Sequence, residues 1–203
     1  MSDIARLKIT LDDVEPVVLR KIEVPLDIKL DKLHGIVQAA MGWEDYHLYE
    51  FRVGRSVAYG TPDPNWPEAR TLPAKKASLA DLLEHAKKTF AYVYDFGDDW
   101  MHTIKVEAIS PAKADTLYPR LIAAEGRCPP EDCGGPWGYA DFQDAIADPK
   151  HENHADAVEW YGEAFDPKDV DVGELTKNVE RAARRLSGKK ATPIVKRKVK
   201  PIP

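Results

Sequence analysis

The chain has 203 residues, 43% of them apolar and 31% charged. That is enough for one well-buried core with at most a small appendage, and it argues against two full domains. No run approaches the roughly 18 consecutive apolar residues of a membrane span, and the opening residues Met1 to Lys8 lack the basic-then-apolar layout of a secretory signal. A cytoplasmic protein without membrane contact is expected.

The net charge of −5 is unevenly spread. Residues 187–203 carry Lys189, Lys190, Lys196, Arg197, Lys198 and Lys200 and no acid, which leaves −11 on residues 1–186. An acidic body repels a phosphate backbone, so nucleic acid is an expected partner only non-specifically, through the tail. Gly188, Pro193, Pro201 and Pro203, with no hydrophobic periodicity, mark 187–203 as a disordered basic tail.

Residues 4–12 and 17–24 alternate apolar and polar positions around Asp12, Asp13, Glu15 and Pro16, the pattern of a β-hairpin. Leu30, Leu33, Ile36, Val37, Ala40 and Met41 follow at helical spacing, with Gly42 placed to end the helix. Residues 47–59 return to strand with a turn near Gly54. The proline-rich stretch 60–76 reads as a surface loop. Ser78 caps a short helix, and strands at 89–95 and 100–109 flank an acidic turn.

The remainder reads as helical, with segments at 139–146, 155–160 and 173–186. An α+β domain over 1–186 results: a β-grasp-like mixed or antiparallel sheet with a helix across it in 1–110, then the Cys loop and helices in 111–186.

Two loops concentrate reactive side chains. In Tyr94-Asp95-Phe96-Gly97-Asp98-Asp99-Trp100-x-His102, three carboxylates share a turn that Gly97 permits. Such carboxylates either cap turn amides or hold a cation, because crowded negative charges otherwise repel. His102 shares a strand face with Trp100, and Asp with His suits one divalent metal such as Zn, Fe or Mn. In Cys128-Pro129-Pro130-Glu131-Asp132-Cys133-Gly134-Gly135-Pro136-Trp137-Gly138-Tyr139, the Cys-x4-Cys spacing is half of a zinc site or a rigid turn with packed thiols. Completing a metal shell there requires His102, His34 or His47, with Glu131 and Asp132 local. Asp98, His102, Cys128 and Cys133 are therefore the candidate metal ligands.

Trp43, Tyr49, Trp100 and Trp137 are aromatic candidates for a ligand platform or for the core, and Arg52 for a cation opposite the carboxylates or a surface ion pair. His151-Glu152-Asn153-His154 is not a zincin motif, since its second His arrives at i+3 instead of i+4.

Together with Trp43-Glu44-Asp45-Tyr46-His47-Leu48-Tyr49-Glu50-Phe51, these two loops resemble the plasmid pRiA4b ORF-3-like family, from about Ile4 to about Asp169. The resemblance implies an α+β protein of bacteria, archaea, plasmids and mobile elements, with no settled activity. Some relatives carry a resolvase label, but the chemistry does not fit. The only early serine is Ser2, and Arg52-Val53-Gly54-Arg55-Ser56 lacks the tyrosine of the resolvase context.

The expected function is a non-catalytic binding or accessory module whose acidic, aromatic and Cys-containing surface takes a partner protein or small polar ligand. The alternative is a metal-dependent hydrolase using Asp95, Asp98, Asp99, His102 and the Cys loop.

Overall fold

Eight strands lie side by side in one sheet in the order β5-β4-β3-β6-β7-β1-β2-β8. They are β1 (Asp3–Leu11), β2 (Val18–Pro25), β3 (Tyr49–Val53), β4 (Val57–Gly60), β5 (Thr71–Pro73), β6 (Thr89–Tyr94), β7 (Trp100–Pro111) and β8 (Arg120–Glu125). Every pairing is antiparallel except β4 with β5. The helices are α1 (Leu30–Met41), α2 (Leu79–Ala86), α3 (Gly135–Ala147), α4 (His154–Tyr161) and α5 (Val172–Leu186). This computed structural model describes residues 2–54, 57–62 and 71–188.

Directly paired residues share a face of the sheet. The register Phe51↔Tyr92↔His102↔Leu11↔Val18 therefore traces one row across five strands, and all five side chains are buried. Phe90, Ile104, Ile9 and Arg20 form the next row. This face meets Leu30, Leu33, Ile36, Val37, Ala40 and Met41 of α1 in one core cluster. The opposite face carries Lys8, Thr10, Lys21, Thr103 and Lys105, and meets solvent. A helix-covered face and a wet face account for the alternation legible in β1, β2 and β7.

On the wet face Glu23 accepts hydrogen bonds from Arg6 (2.7 Å) and Arg120 (2.8 Å), stitching β1 to β2 to β8. Burial pushes the Glu23 carboxyl up, but the two guanidiniums more than offset this and hold it below the usual glutamate range.

The hairpin, α1 with Gly42 left-handed at φ 92°, the Ser78 cap of α2 and the three late helices match their sequence patterns. The fold is α+β, with one mostly antiparallel mixed sheet and its helices concentrated late in the chain. Two strands lie where none was expected. β5 and a 3-10 turn at Ala74–Lys76 occupy part of the proline-rich segment. β8 lies in the stretch read as helical, so the sheet extends past residue 110 and β2 is not an edge. β8 escapes pattern reading because its exposure along the strand does not alternate. The basic tail from Lys189 onward lies outside the described residues.

Candidate metal centre

Three loops meet at the end of the sheet where β3 and β7 begin and β6 ends. The first is the segment between α1 and β3, the second the β6–β7 acidic turn, and the third the Cys loop. Tyr94, the last residue of β6, ties them together. Its hydroxyl donates to Glu131 of the Cys loop and accepts from the backbone N–H of Tyr46 (3.0 Å). The other carboxylate oxygen of Glu131 accepts from the Glu44 N–H (2.8 Å), and Trp43 Nε1 donates to the Pro129 carbonyl (2.9 Å). Trp43 lies nearly parallel to the Tyr94 ring, 5.0 Å between centroids. Burial is the main reason the Tyr94 hydroxyl is pushed well above its ordinary pKa, and Glu131 reinforces it, so the hydroxyl stays a donor.

This bracing brings together His47, Asp95 and Asp132, one from each loop. Their ligand atoms all lie within 4.8 Å of one another. His47 Nε2 is 3.0 Å from Asp132 Oδ1 and 3.6 Å from Asp95 Oδ2. Nε2 is buried yet makes no hydrogen bond: Asp95 Oδ2 is too far, and Asp132 Oδ1, though near enough, is not in line for one. Ligand atoms each about 2.1 Å from one metal ion stand about 3–3.5 Å apart, close to these separations.

The backbone at the site is unusual. Asp95 (φ 56°) and Asp132 (φ 60°) both adopt the left-handed conformation, as do Asp45 (φ 64°) and Asp99 (φ 54°) nearby. Aspartate tolerates this region better than most residues, but clustering of such positions is characteristic of functional loops. Asp95 both caps and presents. Its Oδ1 accepts from Gly97 N–H (2.9 Å), its own N–H donates to Leu48 O (2.9 Å), and Oδ2 faces His47.

The other candidates fall elsewhere. His102 is fully buried in the middle of the sheet. Its Nδ1 lies 3.0 Å from Trp100 O and 3.1 Å from Tyr92 O, which places the proton on Nδ1 and leaves Nε2 without a partner. Burial lowers its pKa to about 4, so it is neutral. Trp100, 1% exposed, belongs to the same core.

Asp98 Oδ2 accepts from Gly134 N–H (3.1 Å) and so joins the two reactive loops. Gly135 (φ 69°) packs so closely there that a Cβ would stand 2.3 Å from Asp98 O. Cys128 and Cys133 are free, partly buried thiols. Burial pushes both up to about 12, Asp98 reinforcing it at Cys133 and Arg20 opposing it at Cys128. Among the described residues, neither cysteine, nor His102, nor Asp98 belongs to a metal-capable group of three.

Arg52 pairs with its neighbour Glu50 (2.9 Å) on the wet face. Tyr49 stacks flat on His34 at 3.5 Å. His34 itself is engaged by Tyr92 OH (2.8 Å) and Asp45 (2.6 Å). Trp137, 85% exposed, lines a groove with Asp13, Glu15, Asp98 and Asp99, which contains neither cysteine.

His47 and Asp132 stood in the sequence only as completions of a cysteine shell. Their partnership with Asp95 joins positions 47, 95 and 132, a juxtaposition no local spacing encodes.

The site is thus a one-histidine, two-carboxylate cluster braced by a tyrosine, on an α+β sheet with helices on one face. The profile of the plasmid pRiA4b ORF-3-like protein family matches residues 3–174, and the chain belongs to that family. It is 46% identical over 191 residues to the uncharacterized protein y4hQ of Sinorhizobium fredii, covering 93% of this chain and 97% of that one. The crystal structure of MM3350 from Methanosarcina mazei Go1, a protein of unknown function, superposes with a TM-score of 0.76 at 35% identity. That match covers 86% of this chain and 98% of the archaeal one.

Proposed function

We propose that the chain is a metal-dependent binding module, in which His47, Asp95 and Asp132 hold one divalent cation that engages a polar ligand or partner. The observation that carries this reading is His47 Nε2, buried and without a hydrogen bond, between two carboxylate oxygens at 3.0 and 3.6 Å. One imidazole and two carboxylates suit Mn, Fe or Zn, and three protein ligands leave coordination positions for an incoming oxygen or nitrogen.

Metal-assisted hydrolysis is the second reading, supported by those same open positions. It requires a carboxylate free to act as base, and Glu131, the acid that braces the same three loops, is not free, since Tyr94 and Glu44 take both its oxygens. Binding is therefore the first reading and hydrolysis the second.

The test is to strip the protein with chelator, titrate Mn and Zn calorimetrically, and measure bound metal by elemental analysis. About one equivalent per chain is expected, lost in His47→Ala and Asp132→Asn and kept in a Cys128→Ser/Cys133→Ser variant. A well-folded protein that takes up no metal, or a His47→Ala variant that binds as tightly as the parent, overturns the reading.

A further inference from the structure

Trp137, at 85%, is the most exposed large apolar side chain among the described residues. It stands in the first turn of α3, in a groove of about 810 Å³ between that helix, the β1–β2 turn and the β6–β7 acidic turn. The walls are fixed to one another. Gln143 Nε2 of α3 donates to Glu15 O (2.9 Å), Asp12 N–H to Met101 O (2.9 Å), and Gly134 N–H to Asp98 Oδ2 (3.1 Å). The groove is thus preformed, and its volume lies within the roughly 300–1,000 Å³ usual for ligand sites.

Val14, Met101 and Ala140 give the groove an apolar lining beside the indole. Its charges are all of one sign, from Asp13, Glu15, Asp98 and Asp99, and no lysine or arginine lines it. Asp13, Glu15 and Asp99 are exposed, and their carboxylates make no hydrogen bond or ion pair among the described residues. Asp98 keeps one oxygen free beyond its bond from Gly134. A solvated acidic face is ordinary, but a tryptophan left in water among carboxylates is not. The electron-rich face of the ring gains nothing from negative charge beside it. A cation satisfies both groups, because it pairs with the carboxylates and is attracted to an indole face more strongly than to any other aromatic ring.

We infer that this groove docks a basic segment of a partner protein, with a lysine or arginine side chain against Trp137 and the four carboxylates around it. The apolar lining takes the alkyl stem of such a side chain, and tryptophan is a residue type that anchors interfaces. The chain's own basic residues 189–203 are placed less well. The last residues of α5, Arg185 and Leu186, share a cavity with Asp31 and Lys32 at the start of α1, whereas the groove adjoins the β1–β2 turn at the opposite end of the sheet. The inference is independent of the metal reading, since none of His47, Asp95 and Asp132 lines the groove.

The experiment is calorimetric titration of the full chain with the peptide acetyl-Gly-Arg-Gly-Arg-Gly-amide, whose capped ends leave only guanidinium charges. One control carries citrulline for each arginine, which keeps the shape and removes the charge. The other is putrescine, which matches the charge without the segment. Saturable binding of the arginine peptide is expected, with either control weaker by about tenfold or more. Trp137→Ala should weaken binding by about fivefold and Asp99→Asn by a smaller factor. Both positions are exposed, so both variants should keep the parent's thermal transition.

The absence of saturable heat at millimolar peptide overturns the inference, as does unchanged affinity in Trp137→Ala. So does citrulline peptide or putrescine binding as tightly as the arginine peptide. A chain ending at Gly188 should bind the peptide as the full chain does. Binding by that chain tighter by about tenfold would give the groove to residues 189–203, in cis or from a second copy, and overturn the partner assignment.

Discussion

Tyr94 shows how much of this site depends on a residue that would touch no metal. Its hydroxyl joins Glu131 of the Cys loop to the backbone leading into His47, so it sets the separation of Asp132 from His47. Tyr94→Phe keeps the ring against Trp43 and removes only these bonds. The expected result is metal affinity weaker by about 10–100-fold, as for other groups that orient ligands, with secondary structure unchanged. Calorimetric titration beside the parent protein checks it, and equal affinity would show that the loops hold their spacing without the hydroxyl.

Gly135 makes the complementary case. Its left-handed backbone and close approach to Asp98 O leave no space for a side chain, so Gly135→Ala must separate the two reactive loops or strain them. A loss of roughly 2 kcal/mol is expected. Urea unfolding measures it, and a change within error would mean that the loops part without cost.

Among the elements, α2 is the one whose boundary is set most fully by local chemistry. Ser78 Oγ accepts from Asp81 N–H (3.2 Å), and Asp81 accepts from Ser78 N–H (2.7 Å), a reciprocal box that satisfies two donors at the helix start. Leu79 and Ala80 donate to Ile28 O and Leu26 O, so the same helix start also secures the loop before α1. Ser78→Ala should cost about 1 kcal/mol. Denaturant midpoints of the two proteins report it, and no shift would mean the tertiary bonds from Leu79 and Ala80 hold the terminus unaided.

The late helices follow their own periodicity. In α5, Leu175, Val179 and Ala183 recur every four residues and are its buried positions. Strands were less consistent. β1 and β7 alternate clearly because one face is covered and the other wet, whereas β8 and the three-residue β5 carry too little pattern to be distinguished from loop or helix.

For the whole molecule, the buried ionisable groups make stability fall in acid. His102 is held neutral with its pKa near 4, whereas in the unfolded chain it titrates near its ordinary value of about 6.5. Below that value the unfolded state binds the extra proton, so stability declines as pH drops from about 6.5 toward 4, by an amount on the order of 3 kcal/mol. Glu23, lowered by its two guanidiniums, contributes in the same direction, its stabilisation being lost as the carboxylate takes a proton. Urea midpoints at pH 7.5, 5.5 and 4.5 (roughly spanning that window) should show a steeper decline for the parent than for His102→Phe. Parallel slopes would mean that His102 does not control the acid limb.

The α+β class, the hairpin, the capped helices and the two loops of reactive residues were legible in the amino-acid sequence. All of these rest on periodicity, turn chemistry and composition within a few consecutive residues. It also placed Asp95, Asp132 and His47 within named motifs without pairing them. That His102 and Trp100 fill the core, that Asp98 joins two loops, and that Arg20 is buried without an acid partner emerge only from the folded chain. One cause underlies all three. Burial and partnership depend on which strands register against each other and which loops converge at one end of the sheet. Those contacts join residues tens of positions apart, where local propensity carries no signal.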